Sequence, residues 1–235
     1  MEYIDLCRLL NPLENISDMK EIFPGVWKKR ELILTENLTP GLRVYGEQLI
    51  KGKKTEYRAW NPYRSKPAAG IARGLKNFPL KPGMRILYLG IASGTTASHF
   101  SDIVGRAGLI YGVEISGRSI RDLNHVAEKR GNIVPILANA RRPEDYGWVE
   151  QVDLVFQDVA TDDQSEILIR NCERFLKPKG FAILSIKSRS IDVTKPPREI
   201  YRKEIEKLEK HFQILEKMEL DPYEKDHMLV VMRKL

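Results

Sequence analysis

Short apolar runs alternate with longer amphipathic segments from about residue 80 to the end of the chain. This alternation is typical of a parallel sheet whose strands are connected by crossover helices. The runs are nearly continuous in apolar residues, as strands buried on both faces require. They are RILYL (85–89), GLIYGVE (108–114), IVPILA (133–138), VDLVFQD (152–158) and FAILSIK (181–187). The pattern therefore predicts a doubly wound, Rossmann-like α/β domain.

Two of the connecting segments have the periodicity of amphipathic helices. In SEILIRNCERFLKPKG (165–180) the apolar stripe is followed by Pro178 and Gly180, residues that end helices. PPREIYRKEIEKLEKHF (196–212) opens with prolines and leaves its Lys and Glu residues on a solvated face. The stripes comprise Ile167, Ile169, Cys172, Phe175 and Leu176 in the first segment, and Tyr201, Ile205, Leu208 and Phe212 in the second.

The two ends of the chain predict antiparallel strands. QILEKMEL (213–220) and HMLVVMRKL (227–235) are too close for a crossover helix, so they should form a hairpin at the edge of the sheet. That hairpin brings the mostly parallel sheet to seven strands, an arrangement found in many methyltransferases. Residues 1 to 58 carry short strand-like segments with frequent turn residues, which predict a small N-terminal β-hairpin subdomain. The second domain would then span 59–235.

Composition narrows the classes of protein. With 235 residues and 42% hydrophobic content, the chain can bury its own core. Its net charge of +7 favours a polyanionic partner, although solubility alone could explain it. Cys7 and Cys172 suggest neither a disulfide framework nor a structural metal site. The acidic N-terminus and the lack of an apolar run of about 18 residues predict a cytoplasmic protein without a membrane partner.

The turn after the first strand of the sheet has the form of a nucleoside-binding loop. Gly90-Ile91-Ala92-Ser93-Gly94-Thr95 places Ala92 and Thr95 where the dinucleotide fingerprint G-x-G-x-x-G has its second and third glycines. A pyrophosphate favours glycines that let the backbone approach closely, whereas S-adenosylmethionine has no phosphate. The larger residues therefore favour S-adenosylmethionine over the dinucleotide of a nicotinamide dehydrogenase.

Charged residues follow three of the predicted strands. Glu114 closes the second strand, where a carboxylate can accept hydrogen bonds from ribose hydroxyls. Asp158 closes the fourth strand and Lys187 the fifth. Because ligands of open α/β sheets bind at the carboxyl ends of the strands, these two charges indicate either a catalytic site or an ion pair.

Several long blocks, in the same order along nearly the whole chain, resemble the fibrillarin family in its archaeal form. That family comprises the RNA 2′-O-methyltransferases of box C/D ribonucleoproteins, and its eukaryotic members carry a Gly/Arg-rich extension that is not found here. The blocks are YRAWNPYRSKPAAGI (57–71), ILYLGIASGTTASHFSDIVG (86–105), VE (113–114), NARRPEDY (139–146), QDVA (157–160), IKSRSID (186–192) and DH (226–227).

The resemblance implies a set of residues that bind the methyl donor. Asn139 occupies a position where the family usually has an acid, and Thr161 one where it usually has glutamine. Residues 59–235 would form the S-adenosylmethionine-dependent methyltransferase domain. The implied cofactor contacts are Gly90, Ala92, Thr95, Thr96, Glu114, Ile115, Asn139, Ala140, Asp158, Val159, Ala160 and Thr161.

The resemblance also implies a catalytic set and a group of partners. The set maps onto Lys66, Asp158, Lys187 and His227, and either lysine could take the proton of the ribose hydroxyl. Because no base-reading module is found, a box C/D guide RNA would select the target in ribosomal or transfer RNA. A Nop-family scaffold protein and a kink-turn-binding ribosomal-type protein would hold the enzyme beside it. The alternative is a non-catalytic, RNA-binding structural subunit, which the four retained charged positions disfavour.

Overall fold

A five-stranded antiparallel sheet opens the part of the chain that the computed structural model describes, residues 19–235. Its strands are β1 (Lys20–Phe23), β2 (Val26–Lys29), β3 (Leu32–Glu36), β4 (Leu49–Lys51) and β5 (Glu56–Ala59), in the order β1-β2-β3-β5-β4. Each strand pairs with its neighbour in this order, and β1 lies at one edge, where it pairs with β2. Over the described residues, the strands of the predicted β unit therefore form one continuous sheet. Residues 1–18 lie outside the described part of the chain. The part of the β-subdomain prediction that falls on them lies outside it as well, and so does Cys7.

The second sheet has seven strands, as predicted. Helix α1 (Lys66–Ala72) leads into it, and its order is β11-β12-β10-β9-β6-β7-β8. The five strands from β10 to β8 run parallel, while β12 is antiparallel to both β10 and β11. The strands are β6 (Arg85–Leu89), β7 (Leu109–Glu114), β8 (Ile133–Leu137), β9 (Val152–Gln157), β10 (Leu176–Lys187), β11 (Phe212–Glu219) and β12 (His227–Lys234). The remaining helices are α2 (Thr95–Val104), α3 (Gly117–Arg130), α4 (Gln164–Phe175), α5 (Ser188–Ile191) and α6 (Pro197–Leu208).

Both faces of the seven-stranded sheet are covered, which explains why its central strands contain so few polar residues. Successive side chains of a strand point to opposite faces. In β6, Ile86 and Tyr88 belong to one buried cluster, while Leu87 and Leu89 belong to the other. All four are at most 2% exposed. Two-sided burial therefore placed four of the predicted strands to within a residue, whereas β10 begins at Leu176, five residues before the predicted start at Phe181.

Two helix ends differ from the sequence prediction. Helix α4 ends at Phe175, before Pro178, because Leu176 already has extended backbone dihedrals and begins β10. Helix α6 ends at Leu208, so Phe212 is the first residue of β11 rather than the last of the helical stripe. Phe212 is nevertheless buried in the same cluster as Tyr201. A shared apolar face therefore does not require a shared element.

A buried charge cluster, defined as Glu47, Arg58, Asp102 and Arg130, connects the antiparallel sheet to helices α2 and α3. Arg58 contacts Glu47 at 2.6 Å and Asp102 at 2.7 Å, and Arg130 also contacts Asp102. Asp102 lies in α2, and its carboxylate also accepts hydrogen bonds from the Thr35 hydroxyl and the Leu38 amide.

The domain boundary after residue 58 stays a prediction. None of the helices within residues 19–235 has the length and apolar character needed to cross a membrane.

Candidate functional site

The turn after β6 lies directly against the loop after β9. Gly90 has a φ of +76°, and a Cβ atom there would lie 2.6 Å from the carbonyl oxygen of Asp158. The Asp158 amide donates to the Leu89 carbonyl at 3.0 Å. Because any larger residue at position 90 would force the two loops apart, this glycine fixes the predicted cofactor turn next to Asp158.

The second position of the glycine fingerprint keeps its unusual backbone although its residue is alanine. Ala92 has a φ of +52°, a conformation that non-glycine residues rarely adopt. Its amide donates to Glu114 Oε2 at 3.0 Å, which helps to hold this conformation. Gly94 then precedes helix α2 with a φ of +93°. The relaxed motif therefore has turn geometry that its sequence only partly reveals.

Glu114 is fixed at the end of β7 by two backbone amides. Besides the bond from Ala92, its Oε1 accepts from the Ser116 amide at 2.8 Å. A carboxylate offers about four acceptor positions, so each oxygen can still accept a hydroxyl. The next residue, Ile115, is 68% exposed and offers an apolar surface beside this carboxylate. The pair suits a ribose with an attached flat base.

The first turn of α2 offers backbone rather than side-chain contacts. Thr96 is buried, and its hydroxyl donates to Ser65 Oγ at 2.9 Å. The amides of a first helical turn have no partner within the helix and point towards the helix N-terminus. We therefore expect the predicted contacts of Thr95 and Thr96 to use their backbone N–H groups.

The residues predicted after β8 and β9 lie at the same edge of the sheet. Asn139 Oδ1 accepts from the Arg141 amide at 3.0 Å, so one of its two acceptor positions is used locally. The Ala140 carbonyl accepts from Asn171 at 2.9 Å. After β9, Val159 is half-buried and Ala160 is exposed, and the Thr161 carbonyl accepts from Gln164. Their contacts with a cofactor stay predictions.

The predicted catalytic residues form two pairs at the same edge of the sheet. Lys66, the first residue of α1, contacts Asp158 with Nζ 3.0 Å from Oδ2. Lys187 and His227 are directly opposite each other on β10 and β12. His227 is 7% exposed, and its Nδ1 lies 2.7 Å from the Lys225 carbonyl. Because a carbonyl only accepts, Nδ1 carries the hydrogen and Nε2 is an acceptor when the ring is neutral.

The two lysines differ in their electrostatic surroundings. Burial disfavours the charged form of Lys66, but the carboxylates of Asp158 and Glu224 outweigh burial and raise its pKa. Lys66 is therefore a cation at neutral pH. Within residues 19–235, the side-chain nitrogen of Lys187 makes no ion pair, and only the backbone of this residue is hydrogen bonded. The two lysines are therefore not electrostatically equivalent.

Ser65 is part of this site and was not predicted. It is 1% exposed, and its hydroxyl accepts from Trp60 Nε1 at 2.8 Å as well as from Thr96. These bonds tie the residue before Lys66 to the first turn of α2. A serine before Lys66-Pro67 looks like a helix N-cap, but its side chain makes no capping bond. Only the contact to Trp60 and Thr96 reveals its position.

The fold and the site together define a class. The sheet is parallel except for a C-terminal hairpin, and it has a glycine turn after β6 and a carboxylate after β7. This combination is that of a nucleoside-binding α/β protein of the methyltransferase type. Within that class the chain belongs to the fibrillarin family, whose model matches residues 14–234. The resemblance noted from the sequence is thereby confirmed.

Individual relatives are similar over most of their length. A Thermococcus sibiricus protein named fibrillarin-like rRNA/tRNA 2′-O-methyltransferase is 53% identical over 221 residues, which cover 92% of this chain and 98% of that protein. Aeropyrum pernix fibrillarin, solved with natively bound S-adenosyl-L-methionine, is 48% identical with a TM-score of 0.82, covering 88% of this chain and 94% of that one. The fibrillarin of a solved fibrillarin/Nop5p complex is 39% identical with a TM-score of 0.85, covering 92% and 100%.

Proposed function

We propose that this chain transfers a methyl group from S-adenosylmethionine to a ribose 2′-hydroxyl of ribosomal RNA, and of transfer RNA. The observation that carries the proposal is the placement of Lys66, Asp158, Lys187 and His227 at the sheet edge that also holds Gly90 and Glu114. The names of its relatives support the same activity and both RNA classes.

The residues at the turn fit S-adenosylmethionine. Glu114 retains acceptor positions for two ribose hydroxyls, and Ile115 offers an apolar face for the adenine. Because Gly90 has no Cβ atom, the turn can lie directly against the Asp158 carbonyl. When bound, the sulfonium compound supplies an electrophilic methyl group. The Aeropyrum pernix relative, solved with this molecule, supports the assignment.

The chain's own contribution to the reaction is to orient the ribose and remove its proton. A ribose hydroxyl is a weak acid, so a base must take the proton as the oxygen attacks. Lys66 is held as a cation by Asp158, and it therefore suits binding a phosphate or the ribose oxygen. We assign Lys187, in its uncharged amine form, as the proton acceptor, which becomes an ammonium as the ribose oxygen attacks. His227 is opposite Lys187 on the neighbouring strand, and its Nε2 is the ring nitrogen that the bond to the Lys225 carbonyl leaves as an acceptor.

Loss of Glu114 should weaken cofactor binding. Glu114→Ala leaves two ribose hydroxyls unpaired on binding, at a cost of about 1–3 kcal/mol, or an affinity about 5- to 150-fold lower. Isothermal calorimetry with S-adenosylmethionine measures the change. Glu128→Ala, on the exposed face of α3, is the matched control and should bind normally. Unchanged affinity in Glu114→Ala would rule out the ribose assignment.

We infer that partners are needed, because the chain has charge for phosphates but its sequence contains no recognisable base-reading motif. Its net charge of +7 suits backbone contacts that are sensitive to salt. The solved fibrillarin/Nop5p complex supports a Nop-family scaffold as one partner. We propose that a box C/D guide RNA and a kink-turn-binding ribosomal-type protein complete the assembly.

Transfer should depend on the whole assembly. Incorporation of labelled methyl groups into a target oligonucleotide is measured with all components and with each omitted in turn. The isolated chain should give negligible transfer, because nothing else places one hydroxyl within about 3–3.5 Å of the methyl carbon. Site-specific methylation by the chain alone would contradict the partner requirement. Tight binding without any transfer would favour the structural-subunit alternative.

A further inference from the structure

Gln164 is completely buried at the start of α4, although glutamine side chains are usually exposed. Its amide makes three hydrogen bonds. Oε1 accepts from the Lys187 amide at 2.9 Å, while Nε2 donates to the Lys187 carbonyl at 3.1 Å and to the Thr161 carbonyl at 2.7 Å. Because one partner is a donor and two are acceptors, these contacts admit only one orientation of the amide.

The Gln164 side chain makes the backbone hydrogen bonds that a neighbouring strand would otherwise make to Lys187. The parallel pairing of β9 with β10 ends at Gln157 opposite Leu184, three residues before Lys187. On its other side, Lys187 is covered by His227 of β12. Both backbone groups of Lys187 would therefore be unpaired towards β9 if the Gln164 amide did not bond them, as a peptide group of a neighbouring strand would.

The same residue also fixes the loop after β9. The Gln157 side chain, itself completely buried, donates from Nε2 to the Gln164 carbonyl at 2.7 Å. Gln157 immediately precedes Asp158, and the Thr161 carbonyl is bonded to the Gln164 amide. One residue thus connects the loop that carries Asp158 with the end of the strand that carries Lys187.

We propose that Gln164 is a positioning residue that holds the Lys187 strand end and the 158–161 loop in the geometry needed for methyl transfer. This inference rests on the proposed function. Gln164 does not itself contact the reacting atoms. Losing its amide should displace Lys187 while Gly90, Glu114 and the Asp158–Leu89 bond stay in place. The rate of methyl transfer should therefore fall more than the affinity for S-adenosylmethionine.

The first test compares two buried amides. Gln164→Leu keeps the size of the side chain and removes all three hydrogen bonds. Its control is Asn132→Leu, at the opposite edge of the sheet, where a 3% exposed amide donates to the Ser101 and Gly105 carbonyls. In the full assembly, Gln164→Leu should slow single-turnover transfer about 100-fold, as a displacement of about 1 Å can do. Because the 158–161 loop also carries predicted cofactor contacts, the variant's affinity for S-adenosylmethionine should fall as well, but by less than about tenfold, and Asn132→Leu should keep the native rate.

Gln164→Glu adds a signature that general destabilisation would not give. A carboxylate keeps an acceptor for the Lys187 amide but faces two carbonyl oxygens, whereas a protonated carboxyl regains one donor. The ratio of its rate to the native rate should therefore rise as the pH falls. Hydrogen exchange of the Lys187 amide, followed without cofactor or RNA, should be faster in Gln164→Leu than in the native chain.

The outcomes separate this inference from the proposed function. If the native assembly transfers methyl groups and Gln164→Leu does so at more than half its rate, the positioning role is overturned and the proposed function survives. Equal rate losses in Gln164→Leu and Asn132→Leu also overturn it, as does unchanged exchange at Lys187. A native assembly without any transfer overturns the proposed function and this inference with it.

Discussion

Replacing Asp102 by alanine is expected to lower the free energy of unfolding by about 3–5 kcal/mol, because it leaves buried guanidinium groups without their counter-charge. The Asp102 carboxylate is fully buried between Arg58 and Arg130. Arg58 would keep Glu47, but Arg130 has no other ion-pair partner within residues 19–235. Burial lowers the pKa of Arg130, and Asp102 is the main group that opposes this. Denaturant unfolding monitored by circular dichroism measures the change.

An exposed ion pair provides the control for this experiment. Arg85 and Glu150 are in contact, but their side chains are 49% and 56% exposed. Removing Glu150 should therefore change stability by no more than about 1 kcal/mol. If Asp102→Ala costs no more than Glu150→Ala, the buried charge cluster does not hold the antiparallel sheet against α2.

Lys187→Ala is expected to slow single-turnover methyl transfer by about 10²-fold or more, because it removes the group that we propose as the proton acceptor in the transition state. Asp158→Ala should have an effect of similar size. Asp158 contacts the Lys66 ammonium and keeps it both charged and in position. Neither change should disturb the fold, because both side chains are only partly buried at the edge of the sheet. The rate is measured with the enzyme in excess over the target RNA in the full assembly.

Lys81→Ala is the matched control for Lys187→Ala. Lys81 is an exposed lysine that precedes β6, at the opposite edge of the sheet from the site. Its removal changes the net charge as Lys187→Ala does, so it corrects for any general loss of affinity for RNA. Near-native rates in both Lys187→Ala and Asp158→Ala would leave the assignment of the proton acceptor without support.

The sequence predicts the sheet better than the ends of its helices. Strands such as β6 and β9 are buried on both faces, so their apolar runs mark them directly. Helix ends depend on tertiary contacts that periodicity cannot show. Phe212 continues the apolar spacing of α6, yet it packs on the same cluster from the first position of β11.

The site was predictable where it depends on strand order, and unpredictable where it depends on single hydrogen bonds. Glu114 and Asp158 follow strands, so topology alone brings them to one edge. The Lys66–Asp158 pair came only from the family resemblance, because Lys66 lies outside the sheet pattern. Nothing in the local sequence shows that the Gln164 amide bonds to a strand 23 residues away. Such contacts are visible only once the chain is folded.

The central claim is that the methyl group goes to one ribose 2′-hydroxyl, and a target lacking that single oxygen tests it most directly. Two target oligonucleotides, identical except for one deoxyribose at the position set by the guide RNA, are incubated with the full assembly and labelled S-adenosylmethionine. We predict one methyl group per all-ribose target and none in the deoxy target. Equal incorporation into both would contradict 2′-O-methylation and indicate a base or another nucleotide as the acceptor.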